Sequence, residues 1–104
     1  MLDLDPASEA ELATLNDPQL TKAVARVCED PSGRREPRHN YTRRFRNPSR
    51  YLKTGEREVW EFRTSKYRAL FVIAKGKSES RIFFLPVRGI RFMTLGDCPW
   101  HKGK

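Results

Sequence analysis

Val59-Trp60-Glu61-Phe62-Arg63-Thr64, Ser65-Lys66, Tyr67-Arg68-Ala69-Leu70-Phe71-Val72-Ile73-Ala74 reads as two strands joined by a two-residue turn. Apolar and polar residues alternate in the first run, and the second is rich in aromatic and β-branched types. A third run, Arg81 to Val87, follows after Lys75 to Ser80. Such short connections predict an antiparallel meander. Alternation puts Trp60 and Phe62 on one face and Val59, Glu61 and Arg63 on the other, with the aromatic face set to pack against helices. A two-residue turn at Ser65-Lys66 pairs Thr64 with Tyr67 and sets Arg63 opposite Arg68. Like charges facing each other across strands are unfavourable, so an anion is expected beside them. Glu61, diagonal to Arg68, is the anion within the chain, and a phosphate is the one from outside.

Upstream, Asp5-Pro6 and Asp17-Pro18 each place an N-cap before a proline at the first helical position. The first helix is expected from about Pro6 to Leu15. In the second, Leu20, Ala23, Val24 and Val27 form one apolar stripe that stops at Asp30-Pro31-Ser32-Gly33. A short strand is possible at Met1 to Leu4. Residues 31–57 lack apolar periodicity and read as a long basic loop, or a loop with one short helix. Arg88 to Leu95 fits either a strand or a helical turn. A tail over 96–104 has Trp100 as its one large anchor.

The chain has 104 residues, 38% hydrophobic, enough for one modest core and one domain over 1–104. A mean hydropathy of −0.75 and 33% charged residues exclude a membrane-embedded protein. Met1-Leu2-Asp3-Leu4-Asp5 carries acid where a signal peptide carries base, so a cytoplasmic location is expected. Cys28 and Cys98 are too few for a disulfide framework. Cys98-x-x-His101 is half of a zinc pattern without a second half, because Cys28 lies on the helix stripe, and no metal is expected.

The net charge of +8 is unevenly spread: residues 1–30 sum to −5, residues 34–68 to +8 and residues 69–104 to +5. The central and C-terminal parts therefore suit a polyanion. Arginine dominates the centre, at Arg34, Arg35, Arg38, Arg43, Arg44, Arg46 and Arg50, and its planar fork matches phosphate. Tyr41, Tyr51 and Trp100 are candidates to stack unpaired bases among these arginines. Those seven arginines, with Tyr41 and Trp100, form the candidate RNA-binding set.

Short strand, helix hairpin, basic loop and meander, with Leu2-Asp3-Leu4-Asp5-Pro6 at the start and Trp60-Glu61-Phe62-Arg63 before Tyr67-Arg68-Ala69-Leu70-Phe71, resemble the RelE/ParE toxin superfamily over nearly the whole chain. The resemblance implies an α+β fold, an N-terminal helix hairpin packed on a curved antiparallel β-sheet. It implies the toxin of a bacterial type II toxin–antitoxin pair, in most branches a ribosome-dependent endoribonuclease that cuts mRNA. The expected partners are then mRNA, the ribosome and a cognate antitoxin, with no membrane and no cofactor. The ParE branch shares the fold but inhibits DNA gyrase, and a non-catalytic RNA- or ribosome-binding protein is a further alternative.

By the same resemblance, Arg68 matches the arginine that holds the scissile phosphate and Arg63 its neighbour. His101 is similar to a C-terminal histidine acting as general acid, and Glu36-Pro37 to the general-base glutamate of YoeB-like toxins. Glu61 stands where other branches carry a catalytic lysine, and Pro86-Val87-Arg88-Gly89 replaces a lysine-rich stretch. Attack of a 2′-OH on its own phosphate needs a base, positive charge on the phosphorane and an acid for the leaving oxygen. Glu36 or Glu61 is the candidate base, Arg68 and Arg63 the clamp and His101 the acid, with His39 as rival acid.

Overall fold

The structure, a computed structural model, describes residues 2–52 and 58–101. The described elements are β1 (Asp3–Leu4), α1 (Pro6–Leu15), α2 (Pro18–Glu29), β2 (Thr42–Arg44), a 3-10 turn at Pro48–Arg50, β3 (Trp60–Arg63), β4 (Tyr67–Lys75), β5 (Ser80–Leu85) and β6 (Met93–Thr94).

Both helices begin at the expected caps. The Asp5 carboxylate accepts from the N–H groups of Ala7 and Ser8 at 3.1 and 3.4 Å, and Asp17 serves Gln19 and Leu20 at 3.0 and 3.3 Å. Each cap satisfies donors that lack helical partners and is worth about 1 kcal/mol. α1 ends at Asn16, whose φ of 50° is the left-handed conformation asparagine tolerates, and its N–H returns to Leu12. Asp5 also ties α1 to the sheet. Ser8 Oγ donates to Asp5 Oδ1 and accepts from the Phe84 N–H at 3.1 Å, so this buried polar pair bridges helix and strand.

The sheet runs in the order β1-β5-β4-β3-β2, with β6 also pairing along β4. Antiparallel pairing joins β2 to β3, β3 to β4, β4 to β5 and β4 to β6, while β1 is parallel to β5. The sheet is therefore mixed, which corrects the expectation of a purely antiparallel one. β1 lies beside β5 and then leads straight into α1, and the Asp5 N–H continues the parallel ladder to the Ile82 carbonyl at 3.0 Å. The Ser65-Lys66 hairpin has the expected register: the Thr64 N–H donates to the Tyr67 carbonyl at 3.0 Å, and Arg63 faces Arg68.

Two expectations change and one open reading is resolved. In the basic segment Pro48–Arg50 forms the one short helix allowed for, a 3-10 turn, but Thr42–Arg44 adds an unexpected strand, β2, to the sheet edge. Residues 53–57 of that segment, and 102–104 of the tail, lie outside the described residues. β5 stops at Leu85, before Pro86, which has no N–H for a ladder. The ambiguous Arg88 to Leu95 region is a tight turn followed by a strand. Arg88 and Gly89 both have positive φ, 54° and 80°, and Val87 and Ile90 exchange backbone hydrogen bonds of 2.9 and 3.1 Å across them. The Glu11 carboxylate of α1 then accepts from the N–H groups of Arg91 and Phe92 at 2.6 and 3.0 Å, fastening the approach to β6.

Apolar residues collect on both faces of the sheet. On the helix side, Leu20, Val24 and Val27 meet Phe62, Phe71 and Phe84, with Phe62–Phe84 edge-to-face at 5.5 Å. Burying each such side chain contributes about 1.5–3 kcal/mol. On the other face, Val59, Leu70, Val72, Val87 and Met93 are covered by Leu52, Phe45, Tyr51 and Trp100. No helix among the described residues is long and apolar enough to cross a membrane.

Candidate nucleic-acid interface

The sheet face away from the helices carries Arg43, Glu61, Arg63 and Arg68 on three adjacent strands. β2 sets Arg43 directly opposite Glu61, and β3 sets Arg63 opposite Arg68. Glu61, only 1% exposed, accepts from Arg43 Nε at 2.5 Å and from the Trp100 indole Nε1–H at 2.6 Å. Both carboxylate oxygens are thereby engaged. The expected Glu61–Arg68 diagonal pair does not form, because the unforeseen β2 supplies a directly opposed arginine and the tail supplies a buried indole donor. As a candidate base, Glu61 is enclosed and doubly hydrogen-bonded.

Arg68 instead donates from Nη1 to the carbonyls of Thr64 and Tyr67, at 2.5 and 2.9 Å. Its Nε and Nη2 have no hydrogen-bond partner among the described residues, and neither does the half-buried Arg63 guanidinium. Both arginines line a depression with Asn40, Tyr41, Thr64 and Ser65. Two cationic forks beside hydroxyl and amide groups are the donor types that phosphate recognition uses. Asn40, Thr64 and Ser65 were not foreseen, although the turn next to Arg63 is where such short polar side chains fall.

The C-terminal segment crosses the same face. Trp100 packs against Phe45 and Tyr51, with centroids 5.3 and 5.4 Å apart. The His101 N–H donates to the Cys98 carbonyl at 3.3 Å, which curls the chain beside the buried Cys98. Burial pushes the Cys98 thiol up, opposed by the N–H groups of Trp100 and His101 and by the Arg68 charge. Arg68 and the tail that carries His101 thus lie within electrostatic reach of each other.

Beside Trp100 opens a groove of about 460 Å³ whose walls are Arg43, Arg44, Arg46, Arg50, Phe45 and Tyr51. Of its four arginines, Arg43 alone has a carboxylate partner among the described residues. Arg50 lies over the Tyr51 ring at 6.0 Å, and Arg44 over Trp60 at 5.4 Å.

The remaining candidates sit elsewhere. Arg35 donates its N–H to Asp30 Oδ2 at 2.7 Å and its Nη1 to the Glu29 carbonyl at 3.3 Å, closing the end of α2. Arg38 pairs with Glu36 at 3.2 Å, both exposed, and Glu36 lines a separate depression with Arg26, Glu29, Arg35 and Pro37. Arg34 is exposed in the same stretch. Among the described residues, Glu36 and the Arg63–Arg68 pair line separate depressions. Tyr41 packs on Phe62 and stacks on His39 at 5.3 Å, so it is partly a core residue. His39 Nδ1 accepts the Tyr41 N–H at 3.2 Å, which leaves Nε2 to donate to the Asp30 carbonyl at 2.6 Å. Both nitrogens of the rival acid are used to hold the loop. No group of three or more His, Cys, Asp or Glu that could hold a metal is gathered among the described residues.

Comparison with protein-family models, curated proteins and solved structures finds no significant match to this chain.

Proposed function

We propose that the protein is an RNA-cleaving toxin of the type II toxin–antitoxin kind, acting on mRNA at the ribosome. The observation that carries this reading is the opposed pair Arg63 and Arg68 in a donor-lined depression, on the sheet face that the His101 segment crosses. In the reaction, the two guanidinium groups bind the scissile phosphate and stabilise the charge that grows on the phosphorane as the neighbouring 2′-OH attacks. His101 gives its proton to the departing 5′-oxygen. The proton of the attacking 2′-OH passes to Glu36, which lies in a separate depression and meets the hydroxyl through the bound RNA.

A second reading, a non-catalytic RNA-binding protein, is favoured by one observation. Glu61 is the carboxylate nearest the clamp along β3, and both its oxygens are already engaged. Induced expression of wild type and Arg68→Ala in bacteria, with mRNA 5′ ends mapped, separates the two. Growth arrest with new codon-phased cuts, both lost in Arg68→Ala, supports the nuclease. Abundant soluble protein with neither arrest nor cuts rejects it and leaves RNA binding.

A further inference from the structure

We propose that the groove between β2, the 3-10 turn and Trp100 is a subsite for one unstacked nucleotide of single-stranded RNA, separate from the Arg63–Arg68 depression. The choice of RNA rests on the functional reading above; the binding itself does not require cleavage.

Three features favour this ligand. The groove, at about 460 Å³, falls within the range of about 300–1,000 Å³ typical of small-ligand sites. Its charge is positive, since Glu61 beneath it neutralises Arg43 alone and Arg46 and Arg50 have no carboxylate partner among the described residues, while the Arg44 guanidinium turns to the other sheet face, over Trp60. Cationic walls of this kind follow a phosphate backbone, and forked guanidinium groups hold its oxygens. The third feature is aromatic: Tyr51 and Trp100 are half-buried and each lines the groove. Half-buried aromatic side chains lining a cationic groove are of the type that stacks an unpaired base. A base within a duplex cannot reach them, which selects single strands.

Glu61 gives the subsite its shape. Its oxygens bond Arg43, on one wall, and the Trp100 indole, on the other, at 2.5 and 2.6 Å. Because an indole N–H can only donate and the carboxylate is buried, this link sets the relative position of the two walls before RNA arrives, and little side-chain freedom is lost on binding. Glu61 is thus a positioning residue for the groove.

The test uses Trp100 fluorescence in a Trp60→Phe background. The ligand is an eight-nucleotide single-stranded RNA whose 2′-O-methyl groups leave no attacking hydroxyl. Quenching of Trp100 is expected, with about tenfold weaker binding in Tyr51→Leu, the size of one lost base stack. Arg46→Ala/Arg50→Ala should also weaken binding at least tenfold and lower the slope of log affinity against log salt by about 1.4, at about 0.7 per phosphate contact on a single strand. The control Lys75→Ala/Lys77→Ala removes the same charge at the β4–β5 turn and should change affinity less than threefold. Equal losses in the two double variants, unquenched Trp100, or equally tight binding of a duplex of the same sequence would each overturn the subsite. Quenching by a protein that never cuts mRNA rejects the nuclease and leaves the subsite standing.

Discussion

Residues 31–40 and residues 41–52 are both rich in arginine, yet the fold treats the two stretches in opposite ways. In the first, two of the three arginines face acceptors belonging to the chain itself, and the third, Arg34, is exposed. The Arg35 guanidinium donates to the Glu29 carbonyl while its backbone N–H holds Asp30, Arg38 pairs with Glu36, and Arg26 of α2 donates to the carbonyls of Arg35 and Pro37. This is the C-terminal end of α2, where unpaired carbonyls and the negative end of the helix dipole attract cations. Gly33 belongs to the same knot: its φ is +74°, and a Cβ there would come within 2.8 Å of the His39 carbonyl oxygen. In the second stretch, β2 spends its backbone groups on β3, and its arginines find a single carboxylate, Glu61. Composition is therefore a poor guide to which cations are free. The number of acceptors nearby sets it, and most of the charge left for an outside partner lies in the second stretch.

The contrast can be broken at its strongest point first. Glu61→Ala should cost about 3 kcal/mol, through a buried cavity, an unsatisfied indole N–H and a released Arg43. In a domain of this size that lowers Tm by roughly 15 °C in a thermal scan. Arg43 is 59% exposed, so most of the loss comes from the indole and the cavity, not from the ion pair. A change below about 1 kcal/mol would mean that Glu61 does not organise the groove.

Next comes Asp30, the hub of the first stretch. Burial alone would push its carboxyl up, but the Arg35 N–H, the Ser32 hydroxyl and the charges of His39 and Arg26 hold it below the usual carboxylate range. Asp30→Ala should cost about 2 kcal/mol near neutral pH. A group with a lowered folded pKa contributes stability that is complete above its unfolded value, about 3.9, and fades as pH falls through the folded one. The gap between wild type and Asp30→Ala in urea unfolding should therefore narrow below about pH 4. A constant gap down to pH 2 would remove ionisation from the explanation.

Much of the helical half was legible beforehand because its signals are local. Asp5-Pro6 and Asp17-Pro18 cap, Leu20 to Val27 form a stripe, and Ser65-Lys66 sets the hairpin register with Arg63 across from Arg68. β2 escaped notice because three residues, two of them arginine, carry no apolar alternation; their pairing depends on the free edge of β3, which is a long-range matter. The second apolar cluster was hidden for the same reason. Leu52 and Trp100 lie far apart in sequence and join only when the basic segment and the tail fold over Val59 and Leu70. Trp100 as the anchor of the tail was foreseen; its bond to Glu61 was not, since nothing in the spacing of residues 61 and 100 implies contact.

The smallest expected stability effect marks the sharpest comparison. Two charge-matched variants, Arg35→Ala/Arg38→Ala and Arg46→Ala/Arg50→Ala, should be compared for both Tm and affinity for the same single-stranded RNA. The first should lose about 1 kcal/mol of stability and bind within about threefold of wild type. The second should unfold within about 0.5 kcal/mol of wild type and bind at least ten times more weakly. Equal losses of affinity in the two variants would show a diffuse cationic surface and contradict the division of the basic segment into a structural half and a binding half.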